Sequence, residues 1–580
     1  MAGFTTIICK NKDIDSKHSF RKKNVYGHEK NHFTNFVKSE KFVIEHFTNN
    51  KFIDDKILTE DATYIIGIEG VILNLKNLKA ETKQTNIFDV VKSLYESSGI
   101  DFVKRLKGSF SGFIYSKKDQ KWQIFTDPIG SKRLFYFQNE DYFIFASELR
   151  DISFQLNSMG IQNSLNHQAA YLLLTYGYMI EDISLIDNVK RIQAGTILSY
   201  QNELISTNEY FHLRNIKQTK DSSDEIIEKM DQLFSNAIKM EFEKDKEYGY
   251  KHIATLSGGL DSRMTVLMAH KLGYKEQLNF TFSQSDYLDE KIAKRIASDQ
   301  KHEFLFQSLD HGNYLKQIDK TTYYNDGLIL YSGSAHVMRA IENMNFDAYG
   351  MIHTGLVGDA VIGSFLSKPF VVPPTVEMGA YSKKLLAKVT PFISNMLPKY
   401  ASEELFKFYG RGFSGALNGN YYFDIFSQTV SPFLEIDFLT YCYSIPEDKK
   451  YKQKIYVDWI AKKHPEFAKY PWEKTGVSPL KSMNYKRYFD LGYYKRMSLK
   501  FFDKLSGKMK SGMNPFDYWM TENPGLKDTI NSYFESHIEL LDNNIDLKKD
   551  CIQLFNNGNS GEKFQVLTLL SAIKLHNIKL

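Results

Sequence analysis

The chain has 580 residues, 42% apolar and 25% charged, which is enough to fill two or three globular cores and is unlike a disordered protein. Its net charge of +5 is small for this length and gives no electrostatic reason to expect nucleic acid or an anionic membrane as a partner. Cys9, Cys442 and Cys551 are too few and too scattered for a disulfide framework or a zinc site, and the histidines show no paired ligand spacing. The apolar run Phe4 to Cys9 is too short for a secretory signal and no run reaches membrane-spanning length, so a cytoplasmic protein is expected.

Taken in order, the chain begins with short β-rich runs: Phe4 to Cys9, Thr63 to Ile68, Ser111 to Tyr115, Trp122 to Thr126, Phe135 to Gln138, Tyr142 to Ala146 and Thr196 to Tyr200. Ile87 to Ser98 and Leu165 to Tyr176 carry helical spacing. Many short strands with few helices predict a layered α+β domain over residues 1–205. Leu106 to Gly112, Asp127 to Tyr136 and Phe145 to Leu149, with the connection Gly177 to Gly195, resemble the glutaminase domain of asparagine synthetases in order and spacing. That resemblance implies an N-terminal-nucleophile-type sandwich.

In that family's active pattern a cysteine follows the initiator methionine, and its thiolate attacks glutamine with its own α-amino group as base. Here the residues are Met1-Ala2-Gly3-Phe4, and Cys9 is internal. The segment that binds the glutamine carboxamide in the family corresponds to Glu69-Gly70-Val71, with two of its three residues changed. A retained scaffold without glutaminase activity is expected.

A polar stretch near Lys217 to Asp224 and an amphipathic helix around Ile226 to Phe242 separate the halves, with the boundary near residues 205–220. The β-prone run from His252 to Leu256 then feeds Ser257-Gly258-Gly259-Leu260-Asp261-Ser262, and Met264, Leu267, Met268 and Leu272 follow at helical spacing. Strand, tight loop and helix in this order make an anion site, because glycine lets the backbone approach a phosphate and the first helical N–H groups point at it. The loop lacks the Lys-Ser/Thr ending of a P-loop and the third glycine of a dinucleotide fingerprint. A carboxylate beside phosphate is repulsive unless a divalent cation lies between them, so Asp261 implies Mg²⁺. Gln277 to Ser283, Glu303 to Ser308 and Ala348 to His353 read as strands and Tyr287 to Asp299 as a helix, which predicts a parallel sheet over residues 206–580 with phosphate at the carboxyl ends of its strands.

Ser257 to Ser262 resembles the pyrophosphate loop of N-type ATP pyrophosphatases, and within them the chain is similar to the asparagine synthetase family up to about residue 480. The second half is then expected to be an α/β PP-loop domain, adenine nucleotide alpha-hydrolase-like, with added helices. The resemblance implies ATP held by Leu256, Ser257, Gly258, Gly259, Leu260, Asp261, Ser262 and Gly355, and Mg²⁺ held by Asp261, Asp289 and Asp359. Lys474, in Trp472 to Pro479, corresponds to the family lysine that faces the phosphates. Asp261 and Lys474 are thus the expected catalytic residues. Asp289 alone also reads as a solvated acid at a helix N-terminus.

The loop Thr354 to Gly363 departs from the family: Leu356 stands where a glutamate or, in β-lactam-forming members, a tyrosine is found, and Ala360 where a second acid is common. Val430 to Asp437 resembles a family segment expected to pack helices, and the stretch beyond residue 480 gives helical patterning without nameable chemistry. The implied activity is adenylation of a substrate carboxylate, small molecule or peptide, followed by attack of an amine. Ammonia-dependent asparagine synthesis, amidation of a uronic acid, and cyclisation as in β-lactam synthetases and lasso-peptide cyclases all remain open, as does a nucleotide-binding protein without turnover. A homodimer or a pathway partner is compatible with the sequence.

Overall fold

A computed structural model describes residues 2–11, 26, 32–482, 490–506 and 512–580, so part of the helical stretch expected beyond residue 480 lies outside the described residues. The first strands are β1 (Gly3–Cys9), β2 (His32–Lys38), β3 (Phe42–Asn49), β4 (Ile57–Glu60), β5 (Tyr64–Ile72) and β6 (Gly108–Ser116). They are followed by β7 (Lys121–Thr126), β8 (Phe135–Gln138), β9 (Tyr142–Ala146), β10 (Val189–Arg191), β11 (Thr196–Gln201) and β12 (Leu204–Glu209). These build two six-stranded antiparallel sheets, β10-β8-β9-β1-β3-β2 and β12-β11-β7-β6-β5-β4.

The period-two alternation of side chains makes the layers. Phe4 and Ile8 of β1 point into the core shared by both sheets, with Phe113, Trp122, Phe143 and Leu198. Ile7 and Cys9, on the opposite face, join a second core with Leu172 and Leu173 of the helix His167–Thr175. The helix Ile87–Ser98 covers the other sheet through Val90, Val91 and Leu94. The result is helix, sheet, sheet, helix. Sequence patterning missed β2, β3, β4, β10 and β12: β2 is largely exposed on both faces, β3 is buried on both but interrupted by Glu45 and His46, and β4, β10 and β12 are short or mostly exposed, so none gives a clear alternation.

In the second half β13 (Lys251–Thr255), β14 (Gln277–Ser283), β15 (Glu303–Ser308), β16 (Tyr349–His353) and β17 (Thr429–Val430) form a parallel sheet in the order β15-β14-β13-β16-β17. The order reverses beside β13: the chain runs outward through β14 and β15, then returns to place β16 on the other side. Loops leaving such neighbours diverge to opposite faces and open a crevice at the strands' carboxyl ends. The long helix Ser223–Glu247 leads into β13 and starts from a capping box between Ser222 and Glu225.

The helix Ser560–Leu575 buries Phe564, Val566, Leu567, Leu569, Leu570 and Ile573. Beyond it Lys579 N–H donates to the Asn163 carbonyl at 2.7 Å, so the end of the chain is tied to the first half. A second tie is ionic: Arg133 and Arg150 of the first half face Glu148 and, across the seam, Asp326, with the Arg133–Glu148 contact at 2.7 Å and the Arg150–Asp326 contact at 2.8 Å. Among the described residues no helix is long and apolar enough to cross a membrane.

Candidate active site

The loop after β13 and the loop after β16 meet in the crevice. Leu256 N–H donates to the Phe280 carbonyl at 2.9 Å, carrying the ladder one residue past β13 before the chain turns. Ser262 Oγ accepts the Ser257 N–H at 2.9 Å and lies 3.0 Å from Ser257 Oγ, which in turn accepts the Gly259 N–H at 3.2 Å. The loop is therefore held in shape by its own hydroxyls before any anion arrives. Gly259 caps the helix Leu260–Lys271, whose first turn carries Asp261.

Asp261 lies under the second loop. A Cβ on Gly355 would come within 2.3 Å of Ser262 N, and one on Gly358 within 2.8 Å of Asp261 Cγ, so both positions require glycine for close approach. Between them Val357 adopts φ 64, costly for a β-branched residue and a sign of a backbone constrained by its surroundings. Gly355→Ala is expected to push the second loop off Asp261 and lower the melting temperature; an unchanged melt would show that this close packing does not hold the two loops together.

Three carboxylates stand here in different environments. Asp261 Oδ1 is sealed from solvent with no hydrogen-bond partner among the described residues. Burial, then the neighbouring Asp359 carboxylate, pushes the Asp261 carboxyl well above the ordinary range, against the opposing effects of the Asp359 N–H, the Tyr456 hydroxyl and Lys474. Asp289 accepts the Gly258 N–H at 2.7 Å and is pushed up to about 6 by burial. Asp359 is exposed. An orphaned buried oxygen flanked by a second carboxylate suits a hard divalent cation, which takes oxygen ligands and would relieve the repulsion, so the residues present fit Mg²⁺.

The loop carrying Lys474 docks on the loop Ser257 to Ser262 through Glu473, whose N–H donates to the Gly258 carbonyl at 3.1 Å. Buried Arg263 clamps the two, donating to the carbonyls of Gly258 at 3.1 Å, Tyr470 at 3.1 Å and Pro471 at 2.6 Å. Glu473 is itself bound by the Tyr287 hydroxyl and by Arg496 at 2.6 Å. Lys474 carries its ammonium 5.3 Å from the centre of the Trp472 ring, and its charge reaches Asp261. Arg263, Glu473 and Arg496 were not legible as site residues, because a buried arginine inside a helical pattern gives no periodic signal.

A cavity of about 230 Å³ opens between the loops, lined by Leu256, Ser257, Gly259, Asp261, Ser262 and Asp289, by Phe280 and Phe282 of β14, and by Gly355, Leu356, Asn420 and Met513. Gly258, Leu260, Asp359 and Lys474 adjoin these elements without lining it. Aromatic and apolar walls on one side with hydroxyls, N–H groups and carboxylates on the other match a ligand with a flat apolar part and an anionic tail. A second cavity, about 80 Å³, lies on the seam between the halves and shares Thr354, Leu356 and Asn420 with the first. Val430, Ser431, Leu434 and Glu435 line it. The segment expected only to pack helices thus does two jobs: Phe433 is fully buried against Phe234 and Phe438, while its neighbours face the cavity.

In the first half Glu69 is buried, with Oε2 2.8 Å from His46 Nε2 and Oε1 3.4 Å from Lys56 Nζ. Burial would raise its pKa, but Lys56 and the His46 bond hold it at about 2. Cys9, Cys442 and Cys551 are all buried thiols.

Residues 54–211, within the antiparallel half, match the family model described as glutamine amidotransferase domain. The chain is 30% identical over 280 residues to glutamine-hydrolyzing asparagine synthetase 2 of Bacillus subtilis, covering 43% of this chain and 35% of the relative. It is 22% identical over 275 residues to asparagine synthetase 1 of the same organism, covering 46% of this chain and 42% of the relative. It therefore spans less than two thirds of the length of these relatives. A solved structure, glutamine phosphoribosylpyrophosphate amidotransferase from B. subtilis, aligns over 53% of this chain and 85% of its own at 11% identity, with a TM-score of 0.24. Over these spans the chain is similar to glutamine-hydrolyzing asparagine synthetases.

Proposed function

We propose that this protein is an ATP-dependent amide-forming ligase of PP-loop type, which adenylates a substrate carboxylate with release of pyrophosphate and passes the acyl group to an amine. The observation that carries the reading is the orphaned, buried Asp261 carboxylate oxygen at the mouth of a strand–loop–helix anion site. Asp261, Asp289 and Asp359 would hold Mg²⁺, which when bound supplies charge neutralisation to the triphosphate. The hydroxyl-braced loop Ser257 to Ser262 binds and orients the phosphates, and Phe280 and Phe282 offer a wall to the base. The lysine loop, clamped by Arg263, brings Lys474 to the leaving pyrophosphate. The protein's share of the catalysis is positioning and electrostatic stabilisation, since substrates provide both reacting groups.

The first half, residues 1–205 in this reading, serves as a scaffold without glutaminase activity. Residue 2, beside the start of β1, is alanine, and Glu69 is tied up by His46 and Lys56 instead of facing a ligand. Residues 206–580 form the synthetase half. The site chemistry calls for a cytoplasmic supply of ATP and for a carboxylate and an amine as partners.

The test is magnesium-dependent pyrophosphate release from ATP with aspartate, uronic acids or carboxylate-bearing peptides, each with glutamine, ammonium or no added amine. Release is expected with at least one carboxylate and no stimulation by glutamine. Release without added amine identifies a cyclising substrate, and release requiring ammonium identifies amidation. ATP binding with no release on any carboxylate would leave a nucleotide-binding protein in place of a ligase.

A further inference from the structure

Amide formation liberates a proton from the attacking nitrogen, and Leu356, which borders both cavities, cannot take it. The seam cavity, through the residues it shares with the nucleotide-side cavity, is the approach by which an amine would meet the activated carboxyl. Its ionisable lining consists of Lys107, Asp127, Glu241, Tyr421, Asp424 and Glu435.

Most of these are committed to structure. Asp127 is held by the Ser131 hydroxyl and by the N–H groups of Ile129 at 3.0 Å and Phe110 at 3.2 Å. Asp424 pairs with Lys132 at 2.8 Å, and the Tyr421 hydroxyl accepts the Arg133 N–H at 2.6 Å. Glu435 caps the helix Ile436–Ser444 by accepting two N–H groups, at 3.0 and 3.2 Å, and pairs with Lys107 at 3.3 Å. Glu241 differs: its one hydrogen-bond partner among the described residues is an imidazole, with Oε2 3.1 Å from His353 Nδ1.

That imidazole is itself fixed. His353 Nε2 lies 2.8 Å from Asp245 Oδ2, which also meets His252 Nδ1 at 2.9 Å, while Asp245 Oδ1 accepts the Met351 N–H at 2.8 Å. Phe242 stacks on the His353 ring at 3.8 Å between centroids. Asp245, His252 and His353 converge as a cation's ligands do. A ring nitrogen that donates its N–H to a carboxylate has no lone pair left for a metal, however, so hydrogen bonding accounts for the contacts.

We propose that Glu241 is the general base of the amide-forming step, with His353 as its positioning residue; this rests on the ligase reading above. The amine nitrogen bonds the acyl carbon, its proton passes to the Glu241 carboxylate, and the acyl–phosphate C–O bond breaks to release AMP. His353, doubly protonated, donates to Asp245 and to one Glu241 oxygen, leaving the other to accept. Burial pushes Glu241 up to about 7 despite His353, and His353, which burial alone would lower, is pushed up to about 9 by Asp245 and Glu241. The competent state, carboxylate beside imidazolium, occupies the interval between them. The ionisable groups facing this pair are Asp245 on the same helix, Glu435 with Lys107 across the cavity, His252 on β13 and Lys51, whose ammonium acts on Asp245.

The experiment uses the full chain, ATP and the carboxylate giving the fastest pyrophosphate release. It compares the amine the wild type uses with hydroxylamine, which arrives unprotonated at neutral pH and needs a base least. Glu241→Gln, nearly isosteric, is expected to lower the ratio of amine-dependent to hydroxylamine-dependent product about 100-fold. His353→Gln, which can still hydrogen-bond Glu241 without carrying charge, is expected to move the acid limb of the amide-forming rate to higher pH. An unchanged ratio in Glu241→Gln, equal loss with both acceptors, or an unmoved limb in His353→Gln overturns the assignment of the base alone. Absence of pyrophosphate release by the wild type with every carboxylate overturns the ligase reading, and the base with it.

Discussion

Asp261→Ala is expected to reduce pyrophosphate release on the order of 10³-fold, about 4 kcal/mol of transition-state stabilisation, while the protein stays folded. The size follows from its place. Asp261 sits in the first turn of the helix Leu260–Lys271, and two glycines of the facing loop pack directly on it, so its position is fixed by close packing. The melting temperature is expected to hold or rise, because the substitution removes a buried oxygen without a partner. A continuous pyrophosphate assay with a thermal melt separates the outcomes: unchanged turnover removes Asp261 from the proposed cation site, and a loss accompanied by a much lower melting temperature makes its role structural.

Arg133→Ala is expected to destabilise the protein by about 3–5 kcal/mol, read as a shift in the urea midpoint, because it leaves buried carboxylates without their partner. Arg133 donates to Glu148 at 2.7 Å and to the Asn325 carbonyl at 3.3 Å, lies 3.5 Å from Asp326, and stacks 3.8 Å from the Tyr421 ring centre. All of these groups are buried. Glu148 shows the coupling: burial would raise its carboxyl, but Arg133 and Arg150 hold it below the ordinary range. A carboxyl depressed in the folded state contributes stability that is present above its unfolded pKa and is lost on acidification through its folded value. The Arg133→Ala penalty is therefore expected to shrink in strong acid. Replacing the four charges together by apolar residues of similar volume is expected to cost less than removing Arg133 alone; an equal cost would mean that packing, not charge, joins the halves here.

Much of the local architecture was readable from residue pattern. Phe135–Gln138, Tyr142–Ala146, Ile87–Ser98, Gln277–Ser283 and Glu303–Ser308 form at the bounds their spacing predicts. The helices beyond residue 480 were visible as patterning, but neither Arg496 on Glu473 nor the burial of Ser560–Leu575 was. Polar residues in the interior carry no period, and their partners lie far along the chain.

The sequence by itself determined the strands and helices with clear apolar periodicity, the glycine-hinged strand–loop–helix at Lys251–Lys271 and the acids near it, because backbone hydrogen bonding and apolar periodicity act over a few residues. Only the tertiary structure decided which of those acids share a crevice, which arginine clamps the lysine loop, and that Glu241 meets His353 across 112 residues. These contacts are set by the reversal of strand order beside β13 and by the docking of two sheet systems on one seam, and satisfying a buried charge depends on what packing brings near it rather than on what precedes it in the chain.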